Sequence, residues 1–167
     1  MKLILASLFI ILMGCRKNES VKVSDESTYR IDSIGFEDYT VGKWTVPYHP
    51  SITGYEPLSG ALSLYGYFSK EKEFSLISPE YKLKKNVTVK FLYKMYTGDN
   101  LVNGRVSISF NGKEYLTQPL THSSIQSFDR NFEISPDQQG KITISFLQEA
   151  EAGKNIWVDD LIVISKP

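Results

Sequence analysis

The sequence has a single cysteine among its 167 residues, so no disulfide within the chain can stabilise the fold. It also has no excess of charge of one sign, because 19 Lys and Arg residues balance 19 Asp and Glu residues. A nucleic-acid-binding surface needs a basic patch or stripe, and none appears, so we expect no nucleic-acid partner. Stability must come from the burial of apolar side chains, alone or with a bound metal.

Familiar signatures of catalysis are missing as well. No Gly-x-Ser-x-Gly segment, the turn that presents a nucleophilic serine, occurs in the sequence. The only histidines, His49 and His122, are far apart and lack the companion ligands of a zinc site. We therefore expect a protein that is not an enzyme.

The longest apolar run lies at the start of the chain, from Leu3 to Met13, directly after Lys2. It is shorter than the ~20 residues that a membrane-spanning helix needs, and its layout is that of a signal peptide, which we place at residues 1–14. Leu12-Met13-Gly14-Cys15 resembles the lipobox of bacterial lipoproteins, in which the cysteine receives a diacylglycerol on its sulfur. The resemblance implies lipid attachment at Cys15 and anchoring in the membrane. We expect an outer-membrane lipoprotein of the cell envelope that faces the periplasm or the cell surface.

The segment that follows the signal is polar and has no periodicity. We interpret residues 15–30 as the lipidated cysteine and a flexible, solvated tether. The remainder, residues 31–167, has the length of one domain and is long enough for a sizeable core.

The pattern of that domain is all-β. Apolar and polar residues alternate from Val87 to Tyr96, which predicts a half-buried strand. Asn111-Gly112 stands between two alternating runs and predicts a type I′ hairpin turn, because both residues tolerate positive φ. The other predicted strands are 61–67, 73–78, 106–110, 113–117, 128–134, 141–147 and 155–164. Many short strands without a helical period favour a two-sheet antiparallel sandwich with a jelly-roll topology.

The last predicted strand is apolar on both faces. Strict alternation places Val158 and Ile162 on one face and Trp157, Leu161 and Val163 on the other, which is typical of a central strand. We assign six aromatic side chains to the core: Trp44, Phe91, Tyr93, Phe110, Phe146 and Trp157.

Acidic pairs occur near both ends of the domain. Asp159-Asp160 interrupts the last strand, so one carboxylate must point to each face, and a buried one must meet backbone N–H groups, a cation or a metal. Glu37-Asp38 follows Phe36. If the first and last strands are neighbours, Glu37 and Asp160 are placed to share a structural calcium ion with backbone carbonyls. Alternatively, Glu37 and Asp38 are exposed turn residues and the two aspartates cap neighbouring backbone.

Six short motifs together resemble the MAM domain and related bacterial jelly-roll modules, namely cleaved-adhesin domains and galactose-binding-like carbohydrate-binding modules. They are Phe36-Glu37-Asp38, Gly42-Lys43-Trp44, Ser59–Leu64, Leu76–Pro79, Val89–Tyr96 and Trp157–Val163. The resemblance implies a jelly roll for adhesion or glycan binding without catalysis, and a cation held by Glu37 and Asp160, with Asp159 as a further ligand. MAM domains usually carry disulfide-forming cysteines, and their absence here favours the bacterial relatives.

We accordingly expect a membrane-anchored, non-catalytic module that binds a glycan or a protein ligand. Tyr48, Tyr55, Tyr96 and Asn100, in or beside loops, are the candidate ligand contacts. The alternative is a structural or assembly lipoprotein that docks onto an outer-membrane protein complex. Exposed aromatic residues on one face favour a glycan, whereas a flat apolar patch favours a protein partner.

Overall fold

The computed structural model describes residues 29–47, 50–68, 73–96, 104–120, 123–148 and 154–167. The described residues form twelve strands: β1 Arg30–Ile34, β2 Ser51–Thr53, β3 Ser63–Phe68, β4 Glu73–Ile77, β5 Tyr81–Leu83, β6 Asn86–Tyr96, β7 Gly104–Phe110, β8 Lys113–Leu120, β9 Gln126–Glu133, β10 Gln138–Gly140, β11 Ile142–Gln148 and β12 Lys154–Lys166. Within those ranges no helix is long and apolar enough to cross a membrane.

The strands form two main antiparallel sheets, as predicted. The six-stranded sheet has the order β2-β3-β12-β6-β9, with β1 also paired to β12, and the four-stranded sheet has the order β4-β11-β7-β8. β5 and β10 form a small separate pair. Every predicted strand is present, while no bounds were predicted for β1, and β2, β5 and β10 were not predicted. The fold is an all-β, two-sheet antiparallel jelly-roll sandwich, which confirms the predicted fold class.

Aromatic rings join the two main sheets. Phe91 of β6 packs edge-on against Phe146 of β11 with a centroid separation of 5.8 Å, and Phe68 meets Phe74 at 6.1 Å. β6 alternates between buried and half-buried residues along its length, so its buried face lies in this core. Burial of these rings is the main stabilising contribution available to a domain without disulfides.

The predicted hairpin turn is confirmed. Asn111 and Gly112 have φ values of 51° and 78°, the left-handed conformation that a type I′ turn requires, and Phe110 pairs with Lys113. The Asn111 side chain also ties the turn to the next strands, since its Oδ1 accepts a hydrogen bond from the Lys141 N–H and its Nδ2 donates to the Gln139 carbonyl, each at 3.1 Å. The turn therefore fixes the register of the four-stranded sheet.

β12 is central, as predicted, but its two faces differ from the strict alternation. The register against β6 shifts between Asp159 and Ile162, and Asp160 has a φ of 48°. This bulge adds one residue, so Val163 pairs with buried Val89 on the core side, whereas Trp157 and Ile162 pair with Lys94 and Lys90 on the outer side. The assignment of Val163 to the same face as Trp157 was therefore wrong.

The six aromatic residues assigned to the core are all buried, but one of them lies elsewhere. Trp157 is absent from the main cluster of contacting core side chains because it projects from the outer face of the six-stranded sheet. Trp157 is therefore buried, as predicted, but on the outer face of the six-stranded sheet rather than between the two sheets.

Candidate functional site

The first and last strands are neighbours, which was the condition for the predicted acidic site. β1 pairs with β12 such that Ile34 lies opposite Leu161. The chain leaves β1 at Gly35, and a Cβ on Gly35 would lie 3.8 Å from Oδ1 of Asp160. The turn that carries Glu37 and the bulge that carries Asp160 thus lie at the same corner of the sandwich.

The two aspartates point to different environments. Asp159 has no exposed surface, whereas Asp160 is exposed. Oδ2 of Asp159 accepts hydrogen bonds from the Ser59 N–H at 3.0 Å and the Ser63 hydroxyl at 2.7 Å, and Oδ1 accepts from the Asp160 N–H at 2.8 Å. Burial raises the pKa of Asp159, and these three donors oppose that rise. The buried carboxylate is thus stabilised by backbone N–H and hydroxyl groups, one of the alternatives open from the sequence.

Glu37 has a similar role in the same segment, residues 59–63. Its Oε1 accepts hydrogen bonds from the N–H groups of Ala61 and Leu62 at 2.9 and 3.2 Å. Gly60 has a φ of 55°, and a Cβ there would lie 2.1 Å from Oε1 of Glu37. Only glycine therefore permits the carboxylate to approach the backbone this closely. Asp38, by contrast, is an exposed turn residue whose Oδ1 accepts hydrogen bonds from the Thr40 N–H and hydroxyl.

The predicted calcium ligands differ in how well they suit a cation. Within the described residues there is no group of three or more His, Cys, Asp or Glu side chains that could hold a metal. Both oxygens of Asp159 already accept hydrogen bonds, whereas Oε2 of Glu37 and the exposed Asp160 carboxylate have no hydrogen-bond partner in the described part of the chain. Of the three predicted ligands, Glu37 and Asp160 are therefore the two whose carboxylates keep an oxygen without a hydrogen bond from the described residues.

A row of polar and aromatic side chains crosses the outer face of the six-stranded sheet. Asn155 of β12 pairs with Tyr67 of β3 on one side and with Tyr96 of β6 on the other. We call these three residues the tyrosine row. Tyr67 is 52% exposed and Tyr96 is 45% exposed. Since neighbouring strands lie about 4.8 Å apart, the two tyrosines stand roughly 10 Å apart with an amide between them.

Two further aromatic residues, Tyr65 and Trp157, lie next to the row on the same face of the sheet. Tyr65 meets Trp157 edge-on with a centroid separation of 5.2 Å, and the Tyr65 hydroxyl donates to Oδ1 of Asn155 at 2.8 Å. Burial raises the pKa of Tyr65, so its hydroxyl remains a donor at neutral pH. This contact fixes the Asn155 amide, and Nδ2 of Asn155 has no partner among the described residues.

The loop between β2 and β3, residues 54–62, borders the same face. The indole Nε1 of Trp157 donates to the Tyr55 carbonyl at 3.2 Å. Lys94 lies 5.5 Å from the centroid of the Trp157 ring and donates to Oε2 of Glu56 at 2.8 Å. Asp159 and Glu37 accept hydrogen bonds from the C-terminal part of this loop, at Ser59 and Ala61. Tyr55, near the N-terminal end of the loop, is 70% exposed. The two acidic residues therefore order a loop that carries exposed Tyr55, whose carbonyl contacts Trp157 next to the tyrosine row.

Two of the four predicted ligand contacts lie among the described residues, and both are exposed. Tyr55 and Tyr96 both lie on the outer side of the six-stranded sheet, whereas Tyr48, Asn100 and the lipidation residue Cys15 lie outside the described residues. Tyr67 and Asn155 were not predicted as contacts. Their positions near the ends of alternating runs, on the polar side, could have indicated that they are exposed. That they lie beside Tyr96 depends on the register of three strands, which the sequence does not show.

The fold is shared with known glycan-binding and adhesin modules, although the sequences are distant. No protein-family model matches the chain, and no curated protein matches it. The C-terminal family 22 carbohydrate-binding module of Clostridium thermocellum Xyn10B has 12% identity and a TM-score of 0.65, over 83% of this chain and 94% of that one. The K3 cleaved adhesin domain of Lys-gingipain from Porphyromonas gingivalis has 12% identity and a TM-score of 0.60, over 81% of this chain and 99% of that one. A family 61 module solved with β-1,4-galactotriose has 18% identity and a TM-score of 0.53, over 79% of this chain and 94% of that one.

Proposed function

We propose that this protein is a non-catalytic carbohydrate-binding module that is exported and lipid-anchored in the bacterial cell envelope. The observation that carries the proposal is the tyrosine row, Tyr67–Asn155–Tyr96, on an exposed sheet face. Aromatic rings pack against the apolar faces of sugar rings, and the amide of Asn155 and the phenol groups supply hydrogen bonds to sugar hydroxyls.

The character of the exposed apolar residues favours a glycan over a protein partner. Six large hydrophobic residues of the described chain are exposed, and four of them are tyrosines: Ile31, Tyr39, Tyr55, Tyr67, Tyr96 and Ile125. A protein-docking face would present a contiguous apolar patch of several hundred Å². Tyrosine, with a polar hydroxyl on an apolar ring, suits a ligand that is itself half polar and half apolar.

The arrangement of the acidic residues supports binding without catalysis. Glycosidases use two carboxylates that face the substrate across an open site. Here Asp159 is fully buried and Oε1 of Glu37 accepts two backbone hydrogen bonds, so both stabilise the loop of residues 54–62. Fold likeness to a xylan-binding family 22 module and to the galactotriose-bound family 61 module adds support by analogy.

Substitution of the tyrosine row tests the binding function. We expect Tyr67→Ala and Tyr96→Ala each to weaken glycan binding about tenfold, because a central aromatic side chain at a binding site contributes on the order of 1–2 kcal/mol. Xylan and β-1,4-galactotriose are the first probes, measured by affinity electrophoresis and isothermal titration calorimetry on the full chain in detergent. Tyr39→Ala is the matched control, since Tyr39 is 71% exposed but belongs to the turn after β1. Equal affinities of all variants would contradict the assignment of the site.

Attachment to the membrane is tested at Cys15. We expect the chain to incorporate a labelled fatty acid and to fractionate with the outer membrane when expressed in its host, because a diacylated, N-acylated cysteine anchors firmly where a single acyl chain does not. Cys15→Ala should abolish the label and leave the signal peptide uncleaved by the lipoprotein pathway. Label in the variant, or none in the unmodified protein, would contradict lipidation at this residue.

A further inference from the structure

A second candidate site lies on the same face of the six-stranded sheet, at the opposite end from the tyrosine row. It is a cavity of about 460 Å³. We call it the polar groove, and it is lined by Asn86, Thr88, Lys90, Asp129, Asn131, Lys166 and Pro167. The strand register places them together, since Thr88 pairs with Asn131 and Lys90 with Asp129 across β6 and β9.

The chemistry of the polar groove suits a hydroxyl-rich ligand. Its lining contains two amides, a hydroxyl, two ammonium groups and a carboxylate, which offer donors and acceptors in close alternation. Nζ of Lys90 lies 3.5 Å from Oδ2 of Asp129, so part of its charge is compensated within the groove. A ligand recognised here is therefore held chiefly by hydrogen bonds rather than by attraction between net charges.

β6 connects the polar groove to the tyrosine row. The outer-face positions of this strand run Asn86, Thr88, Lys90, Leu92, Lys94 and Tyr96, with the groove at the first three and the row at the last. β6 has 11 residues, which at a rise of about 3.4 Å per residue gives a track of roughly 34 Å. One sugar ring cannot contact both ends, whereas a chain of several units lying along β6 can.

We propose that the polar groove is a second subsite for the same glycan, and that the ligand is a polysaccharide chain that spans both subsites. The inference rests on the proposed carbohydrate-binding function. It adds that the glycan is a chain long enough to reach from one end of β6 to the other. The tyrosine row binds sugar rings by stacking, and the polar groove fixes the distal units through their hydroxyls. Affinity then increases with chain length until both subsites are filled.

The test measures affinity against chain length for matched variants. The probes are xylan, β-1,4-galactan and oligosaccharides of two to eight units prepared from each, titrated into the full chain in detergent. The distal variant is Thr88→Ala/Asn131→Ala, Tyr96→Ala is the proximal variant, and Thr117→Ala on the exposed face of β8 is the control. We expect the distal variant to bind the octamer about tenfold more weakly than the unmodified chain and to bind the dimer equally well. Lys166→Ala provides a second, single-site variant of the groove, and melting temperatures verify that each variant is folded.

The outcomes separate this inference from the function on which it rests. The inference is supported if affinity increases with the number of sugar units in the unmodified chain, and if this increase disappears only in the distal and Lys166 variants. Affinity that is independent of length, or unchanged in the distal variant while Tyr96→Ala weakens it, overturns the second subsite and leaves the tyrosine row intact. If the unmodified chain binds none of the probes, both the second subsite and the proposed carbohydrate-binding function are overturned.

Discussion

Asp159→Ala is expected to destabilise the domain by about 3–4 kcal/mol, more than any other single change argued here. The carboxylate is fully buried and accepts three hydrogen bonds, from the Ser59 N–H, the Ser63 hydroxyl and the Asp160 N–H. Each donor left without a partner in a buried environment costs on the order of 1–3 kcal/mol, and loss of the buried charge offsets part of the sum. Urea unfolding followed by tryptophan fluorescence measures the change, because Trp44 and Trp157 are both buried.

Asp129→Ala is the control for this prediction. Asp129 is an exposed aspartate that pairs with Lys90 at 3.5 Å, and surface pairs contribute at most about 1 kcal/mol. If Asp159→Ala and Asp129→Ala shift the unfolding midpoint equally, the buried carboxylate does not hold the loop of residues 54–62 in the way described.

The pH dependence has a definite sign. Burial raises the pKa of Asp159 above its ordinary value of 3.8, so the folded protein binds this proton more tightly than the unfolded chain does. The additional stability that protonation of Asp159 gives the folded state is fully present below about pH 3.8 and is lost as the pH rises through the raised pKa, while the three hydrogen bonds to the carboxylate remain. Relative to Asp159→Asn, which does not titrate, the unmodified protein should therefore lose stability from acid toward neutral pH. The difference between the two proteins isolates this group from the other carboxylates.

Local signals in the sequence predicted local structure well. Asn111-Gly112 gave the hairpin turn because the requirement for positive φ belongs to those two residues alone. The alternation from Val87 to Tyr96 gave β6 because half-burial repeats along one strand. β2, β5 and β10 were missed because each has three residues and so shows no period.

The site depended on information that a single strand does not carry. The bulge at Asp160 adds one residue to β12. Val163 therefore lies on the opposite face from Trp157, whereas strict alternation predicts the same face for both. The partners of Asp159 lie about 100 residues earlier in the chain, and no local pattern indicates Ser59 or Ser63. The tyrosine row likewise exists only because three strands align Tyr67, Asn155 and Tyr96, so the sequence could predict exposed aromatic residues but not their grouping.

Calcium is expected to raise the melting temperature of the full chain, and chelation to lower it. Glu37 lies in the turn after β1, and Asp160 lies at the bulge of β12 beside the end of β1, so an ion shared between them would join the first and last strands of the domain. An ion present at about 100 times its Kd stabilises the folded state by about 2.7 kcal/mol, which corresponds to a rise of roughly 5–10 °C for a chain of this size. Differential scanning calorimetry with calcium and with chelator measures the rise.

The informative quantity is the increment due to calcium, not the melting temperature itself. Glu37→Ala also removes the acceptor of the Ala61 and Leu62 N–H groups, so it lowers stability with or without the ion. Asp160→Ala and Glu37→Ala should each abolish the increment, whereas Asp38→Ala, whose carboxylate accepts hydrogen bonds from Thr40 within the turn, should keep it. If the unmodified chain has the same melting temperature in calcium and in chelator, the predicted structural calcium ion is contradicted. Glu37 and Asp159 would then order the loop beside the tyrosine row by hydrogen bonds alone.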